Sequence, residues 1–168
     1  PFTPETRAAA DFLLKKMEEA GLKTWQDSAG NLFGLLPGRN RDKPCILCDS
    51  HYDSVPGGGN YDGIAGVVCA IELARVLQEE EVTPDADYLA AAFMDEEGCR
   101  FGSGYFGSKA VLGRLRPEEA GRLTDADGTT VAQAMERYGL DVGELPKAAW
   151  PKGRIGHFLE IHIEHRLC

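Results

Sequence analysis

Apolar positions change period several times along the chain. Ala9, Phe12, Leu13, Met17 and Ala20 recur at helical spacing, behind Thr3 as a cap and Pro4 as the first helical residue, and the pattern stops at Gly21. A hairpin is predicted next, from 22 to 26 and from 32 to 36, turning around Ala29, Gly30 and Asn31. Pro37, Gly38 and the charged stretch to Lys43 read as a loop. Residues 45–48 form a short continuous apolar run, as expected of a strand buried on both faces, and give way to the polar residues 49–54. Residues 88–94 repeat that design, apolar until Asp95, Glu96 and Glu97. Between the two runs, Ile64, Val67, Val68, Ile71 and Ala74 predict an amphipathic helix over about 63–80. Strand, helix, strand with so long a crossover predicts a parallel pair. Shorter helices are expected around 104–112, 117–123 and 129–138, and a last strand over about 157–164. The chain shows no repeat, low-complexity tract or linker to a second domain, and the fold class is α/β, with a mixed, largely parallel sheet flanked by helices.

Composition narrows the partners. Hydrophobic residues make up 43% and charged residues 27% of the 168, as in ordinary globular proteins. Eighteen Lys and Arg against 27 Asp and Glu leave a formal charge of -9, the wrong sign for nucleic acid or an anionic membrane surface. No apolar run approaches a membrane span and the first residues do not resemble a signal peptide, so a cytoplasmic location is expected. The five cysteines, 45, 48, 69, 99 and 168, are expected to be mostly small buried hydrophobes, not a disulfide framework. The chain starts at Pro1 without an initiator Met and stops directly after a strand-like run, which reads as a segment cut at both ends.

Polar chemistry collects where the apolar runs end, the place at which open α/β sheets carry their functional loops. After the first run comes DSHYDSVPGGGNYDG, residues 49–63, with His51, Asp53 and Asp62. After the second comes DEEGCRFG, residues 95–102. In the last predicted strand, Leu159, Ile161 and Ile163 alternate with Glu160, His162 and Glu164, so a period of two turns one face to a core and presents His162 between two carboxylates. His157 and His165 fall in the other register. Imidazole and carboxylate together suit Zn, Mn, Co or Ni, and several carboxylates allow two ions to share a ligand. Adjacent Glu96 and Glu97 divide naturally into a metal ligand and a proton-transfer base, in an order that spacing leaves open.

Plainer readings compete. Asp62 before Gly63 fits a helix cap, 95–97 fits a solvated acidic loop, and His162 fits a surface position on an edge strand. CILC has CxxC spacing, but residues three apart on a strand face opposite sides, which argues against a thiol site. Gly57 to Gly59 lack a Walker or dinucleotide pattern, so they read as a tight turn. The joint placement of His51, Asp62, Glu97 and His162 at strand ends favours metal.

SHYDSVPGGGNYDGIAGV, FMDEEGCRFG with GSKA close behind, and the late LEIHIE together strongly resemble the co-catalytic metal amidohydrolases: N-carbamoyl-L-amino acid hydrolases, β-ureidopropionases and allantoate amidohydrolases. The match runs in order over nearly the whole chain, from the amino-terminal helix and the SAGNLFG hairpin onwards. It implies a zinc-exopeptidase-like catalytic domain, with 1–168 as its amino-terminal, metal-binding part and without the lid and dimerisation domain or the carboxyl-terminal part. The resemblance implies His51, Asp62 and His162 on one metal ion, Asp62 bridging to a second ion held by Glu97, Glu96 as general base, and Asp53 orienting His51. The parental enzyme is expected to be a homodimer that uses two divalent ions (Zn, Mn, Co or Ni). It would hydrolyse non-peptide C–N bonds of a small N-carbamoyl amino acid or ureido substrate, typically freeing an amino acid, carbon dioxide and ammonia. Allantoate or β-ureidopropionate hydrolysis and aminopeptidase or dipeptidase action are the alternatives within the class.

Two departures accompany the resemblance. The family follows HIE with Gln and Gly, where this chain has His165 and Arg166, and it takes the last ligand of the second ion, a His, from a later part of the domain. The expectation is therefore a nearly inactive chain holding at most one tightly bound ion. The rival from another class is a non-catalytic, metal-binding fragment.

Overall fold

A computed structural model of the chain describes residues 1–163. Helix α1 (Pro4–Glu19) begins as its sequence predicts, with Thr3 accepting a hydrogen bond from the Thr6 amide at 3.2 Å and Pro4 in the first turn. A hairpin of β1 (Lys23–Gln26) and β2 (Leu32–Leu36) follows, then β3 (Cys45–His51), α2 (Ile64–Glu79) and β4 (Tyr88–Phe93). Three short helices, α3 (Phe106–Val111), α4 (Pro117–Ala120) and α5 (Val131–Tyr138), lead to a 3-10 helix at Val142–Ala148 and to β5 (Ile155–Glu160).

The sheet order is β1-β2-β4-β3-β5. β3 lies parallel to β4 on one side and to β5 on the other, as the strand, helix, strand pattern predicts. The β1–β2 and β2–β4 ladders are antiparallel, so the parallel part is confined to β4, β3 and β5 and the sheet is evenly mixed. β3 and β4 pack on both faces. Cys48, Tyr88, Ala90 and Ala92 join a core with Leu13 and Met17 of α1 and Val67, Ile71 and Ala74 of α2. On the reverse side Leu47, Leu89, Ala91 and Phe93 pack with Phe33, Val111 and Trp150. Cys45 and Cys48 fall in different clusters, which rules out a shared thiol site.

Several details differ from the sequence expectations. β3 extends to His51, three residues past its apolar run, because a central parallel strand keeps its ladder while its side chains turn polar. Phe12 and Val68, placed on the apolar stripes of their helices, are 59% and 46% exposed, because Ala10, Leu13 and Met17 in α1 and Val67, Ala70 and Ile71 in α2 occupy the faces toward the sheet. Cys69 and Cys99 are exposed and not buried. The last strand starts two residues before the predicted position and ends at Glu160, while Glu164, His165 and Cys168 lie outside the described residues. Leu159 and Ile161, expected in a core, are 52% and 53% exposed: β5 pairs only with β3, and no described element covers its flank.

Candidate metal centre

His51 is the last residue of β3 and its ring is fully buried. Nδ1 lies 2.9 Å from the carbonyl oxygen of Asp53. A carbonyl only accepts, so Nδ1 carries the proton and Nε2 is directed at the site. Around Nε2 stand Asp62 Oδ1 at 3.6 Å, Glu96 Oε2 at 3.9 Å and Glu97 Oε1 at 3.9 Å. Among the described residues, buried Nε2 and Glu97 Oε1 have no hydrogen-bond partner. Two ligand atoms on a tetrahedral ion with bonds of about 2.1 Å lie about 3.4 Å apart, close to these separations.

Asp62 is brought in from the glycine-rich loop. Its Oδ2 accepts from Ser54 Oγ and the Val55 amide, both at 2.9 Å, so the carboxylate folds back over its own loop. The capping alternative fails: Gly63 occupies the cap position of α2 and the helix has no side-chain cap bond. Gly63 is required here for two reasons, a φ of +64° and a backbone so close to His51 that an added Cβ would lie 2.4 Å from its carbonyl oxygen.

Asp53 joins the two loops. Its Oδ1 accepts from the Glu96 amide at 3.0 Å and its Oδ2 from the Glu97 amide at 3.1 Å, while Oδ1 also lies 3.5 Å from His51 Nδ1. Burial alone would raise the Asp53 carboxyl, but the bonds from His51 and from both amides outweigh it and hold the pKa below the ordinary value. The stretch 95–97 is therefore no solvated acidic loop. Asp95 is completely buried with φ +52°, and burial together with the Asp53 charge pushes it up to about 7. Burial also raises the Glu96 carboxyl, with His51 opposing and Glu97 adding to the rise.

His162 follows the end of β5, and its ring centroid lies 5.3 Å from that of His51, with the planes inclined at 43°. One ligand atom each from His51, Glu96, Glu97 and His162 falls within 4.8 Å of every other. The fold thus brings His51, Asp53, Asp62, Glu96, Glu97 and His162 to one end of the parallel strands, while His157 is exposed beside Ile46, away from the cluster. The donor set fits a divalent cation: a buried imidazole nitrogen lacking a partner, facing carboxylates. Burial works against a charged His51, but Asp53 and Glu96 overcome it and lift the ring to about 9. Surroundings that favour a proton there favour a metal cation for the same reason. The apolar groove of about 410 Å³ lined by Phe12, Leu13, Val68 and Ile71 lies between α1 and α2 and touches none of these groups.

The sequence reading overlooked Asn31. Fully buried in the hairpin, it accepts from the Met94 amide at 3.1 Å and donates to the Gly107 carbonyl at 3.1 Å and to Asp27 Oδ2 at 2.8 Å. It thereby anchors the strand end that carries the acidic loop. The only signal for it was a polar residue next to the apolar run of the second hairpin strand.

Comparison with known proteins gives the chain's relatives. The chain is 43% identical over 163 residues to an N-carbamoyl-L-amino acid amidohydrolase of Geobacillus stearothermophilus, covering 97% of this chain and 40% of that protein. It is 32% identical over 163 residues to the allantoate amidohydrolase of Escherichia coli (strain K12), covering 97% of this chain and 39% of that one. A crystal structure of a hydantoinase/carbamoylase family amidase from Burkholderia ambifaria superposes with a TM-score of 0.85 at 29% identity, over 97% of this chain and 39% of the other. The chain therefore spans about 40% of the length of the relatives it matches. The family model described as peptidase family M28 matches residues 31–130, from the second hairpin strand through the glycine-rich and acidic loops, and the chain belongs to that family.

Proposed function

We propose that this chain is the metal-binding part of the catalytic domain of an amidohydrolase that cleaves linear amide or ureido C–N bonds, with N-carbamoyl-L-amino acids as the substrate class. The observation that carries the proposal is the meeting of His51 Nε2 with Asp62, Glu96 and Glu97. It occurs in a chain more similar to an N-carbamoyl-L-amino acid amidohydrolase than to an allantoate amidohydrolase. His51, Asp62, Glu97 and His162 would hold the metal. A divalent ion bound there supplies Lewis-acid polarisation of the substrate carbonyl and an activated water.

The remaining chemistry belongs to side chains. Glu96, half-buried beside His51, takes the proton of the attacking water and returns it to the leaving nitrogen, a role suited to a carboxyl that burial raises above its ordinary value. Asp53 holds the amides of Glu96 and Glu97 and supplies the backbone carbonyl that sets the His51 tautomer, so one residue aligns base and ligands. One atom each of His51, Glu96, Glu97 and His162 within 4.8 Å of one another, with Asp62 beside His51, supports a single tightly bound ion per chain, although the parental enzyme would use two. The four described cysteines are free thiols and two of them are exposed, which fits a reducing compartment such as the cytoplasm.

Elemental analysis and ammonia release test this. One Zn, Mn, Co or Ni per chain, with weak turnover of N-carbamoyl-L-amino acids in preference to allantoate, is the expected result. Failure to retain any divalent ion would remove the metal reading, and two ions with robust turnover would remove the single-site part.

A further inference from the structure

We infer that Glu160 is a positioning residue for His162, fixing the ring so that one nitrogen is held by the carboxylate and the other is presented to the metal. The inference rests on the assignment of His162 as a ligand.

His51 needs no such help, because it is buried and the Asp53 carbonyl holds its Nδ1 at 2.9 Å. His162 is different. It lies beyond the last residue of β5, on the edge of the sheet, and its side chain is 35% exposed, so packing alone does not define the ring. Glu160 is the last residue of β5, two positions earlier, and its Oε1 is 3.5 Å from His162 Nδ1, so the two side chains lie together. That is ion-pair range, slightly longer than a hydrogen bond.

The neighbouring strand adds direction. Glu160 pairs in register with Asp49 of β3, whose carboxylate is buried and has no hydrogen-bond partner among the described residues. The residue opposite Glu160 on β3 is itself acidic and offers the carboxylate no cation, so the basic group within its reach is the imidazole of His162. Asp49 with Glu160 and His51 with His162 make two successive rows on this face of the β3–β5 pair, carboxylates behind and imidazoles in front. A carboxylate accepting from Nδ1–H fixes the tautomer and leaves Nε2 as the donor atom.

Zinc affinity of the full chain, measured by chelator competition for Glu160→Ala, Glu160→Gln, His162→Ala and the double variant Glu160→Ala/His162→Ala, tests the idea, with circular dichroism to verify folding. Glu160→Ala is expected to weaken binding about 10- to 100-fold, the usual consequence of losing such a partner. Glu160→Gln, less disruptive on the edge strand, should weaken it by a smaller factor. In the His162→Ala background the Glu160→Ala change should cost nothing further, because the two residues act as one unit. An equal loss in both backgrounds would make Glu160 a remote charge and overturn the inference. If His162→Ala binds zinc as tightly as the parent, the ligand assignment itself fails, and the inference falls with it. Nitrogen-15 shifts of the His162 ring supply a readout independent of affinity: a single Nδ1–H tautomer in the parent and a mixture in Glu160→Ala.

Discussion

The carboxylate of Asp53 accepts a hydrogen bond from the backbone amide of Glu96 at 3.0 Å. A residue at the end of β3 therefore holds the loop that follows β4, although the two are 43 positions apart in the chain. Asp53→Ala leaves the amides of both Glu96 and Glu97 unpaired in a partly buried place. The expected cost is about 1–3 kcal/mol of stability, read from urea unfolding. A drop in zinc affinity should accompany it, because Glu97 loses the bond that holds its amide and His51 loses the carboxylate beside Nδ1 while keeping the backbone carbonyl.

Glu96 and Glu97 stand at the same 3.9 Å from His51 Nε2, so distance alone does not divide their roles. Glu97→Gln is expected to lose bound metal. Glu96→Gln should retain it and abolish whatever ammonia release the chain supports. Metal analysis of the two purified variants is sufficient, and the reverse pattern would exchange base and ligand.

Stability of the metal-free chain should fall as pH rises from about 4 to about 9. Burial raises Asp27 to about 6, with hydrogen bonds from Asn31, Ala29 and Gly30 opposing it. Burial raises Asp49 to about 8, with Glu160 adding to the effect. Each carboxyl binds its proton more tightly folded than unfolded, so its favourable contribution is complete below the unfolded value and disappears as pH passes the folded one. The raised His51 acts in the same direction, its contribution lost between about 6.5 and about 9. Thermal melts in chelator across this range should show the decline, and Asp49→Asn should flatten the part up to pH 8.

Added zinc should oppose that slope. Binding requires His51 to give up its proton, so metal stabilises the folded chain more strongly at pH 8 than at pH 6. Melts with saturating zinc at the two values measure the difference, and an equal shift at both would contradict the assignment of His51.

Asn31→Ala should be among the most damaging single changes outside the metal site. It removes three hydrogen bonds and strands the Met94 amide in the interior, at a cost of about 2–4 kcal/mol. Gly107→Ala tests the same junction from the other side, since a Cβ there would lie 2.0 Å from Asn31 Oδ1.

Periodicity alone determined that this chain has a parallel β3–α2–β4 unit behind a hairpin, because buried parallel strands read as unbroken apolar runs and their crossover helix reads as a stripe. The same runs marked where chemistry would collect, since the polar residues begin where the strands leave the core. Tertiary structure decided what those residues touch. Asp62 is a partner of His51 and not a cap because its loop folds back through Ser54 and Val55, a contact between residues eight apart that no short-range pattern encodes. Asp95 is buried and Asn31 is an anchor because the hairpin lies against the end of β4, a pairing set by the whole sheet. Alternation in the last predicted strand correctly put Glu160 and His162 together, and their side chains meet at 3.5 Å. Whether the opposite face met a core depended on what packs beside that strand, and Leu159 and Ile161 are exposed because β5 is the edge.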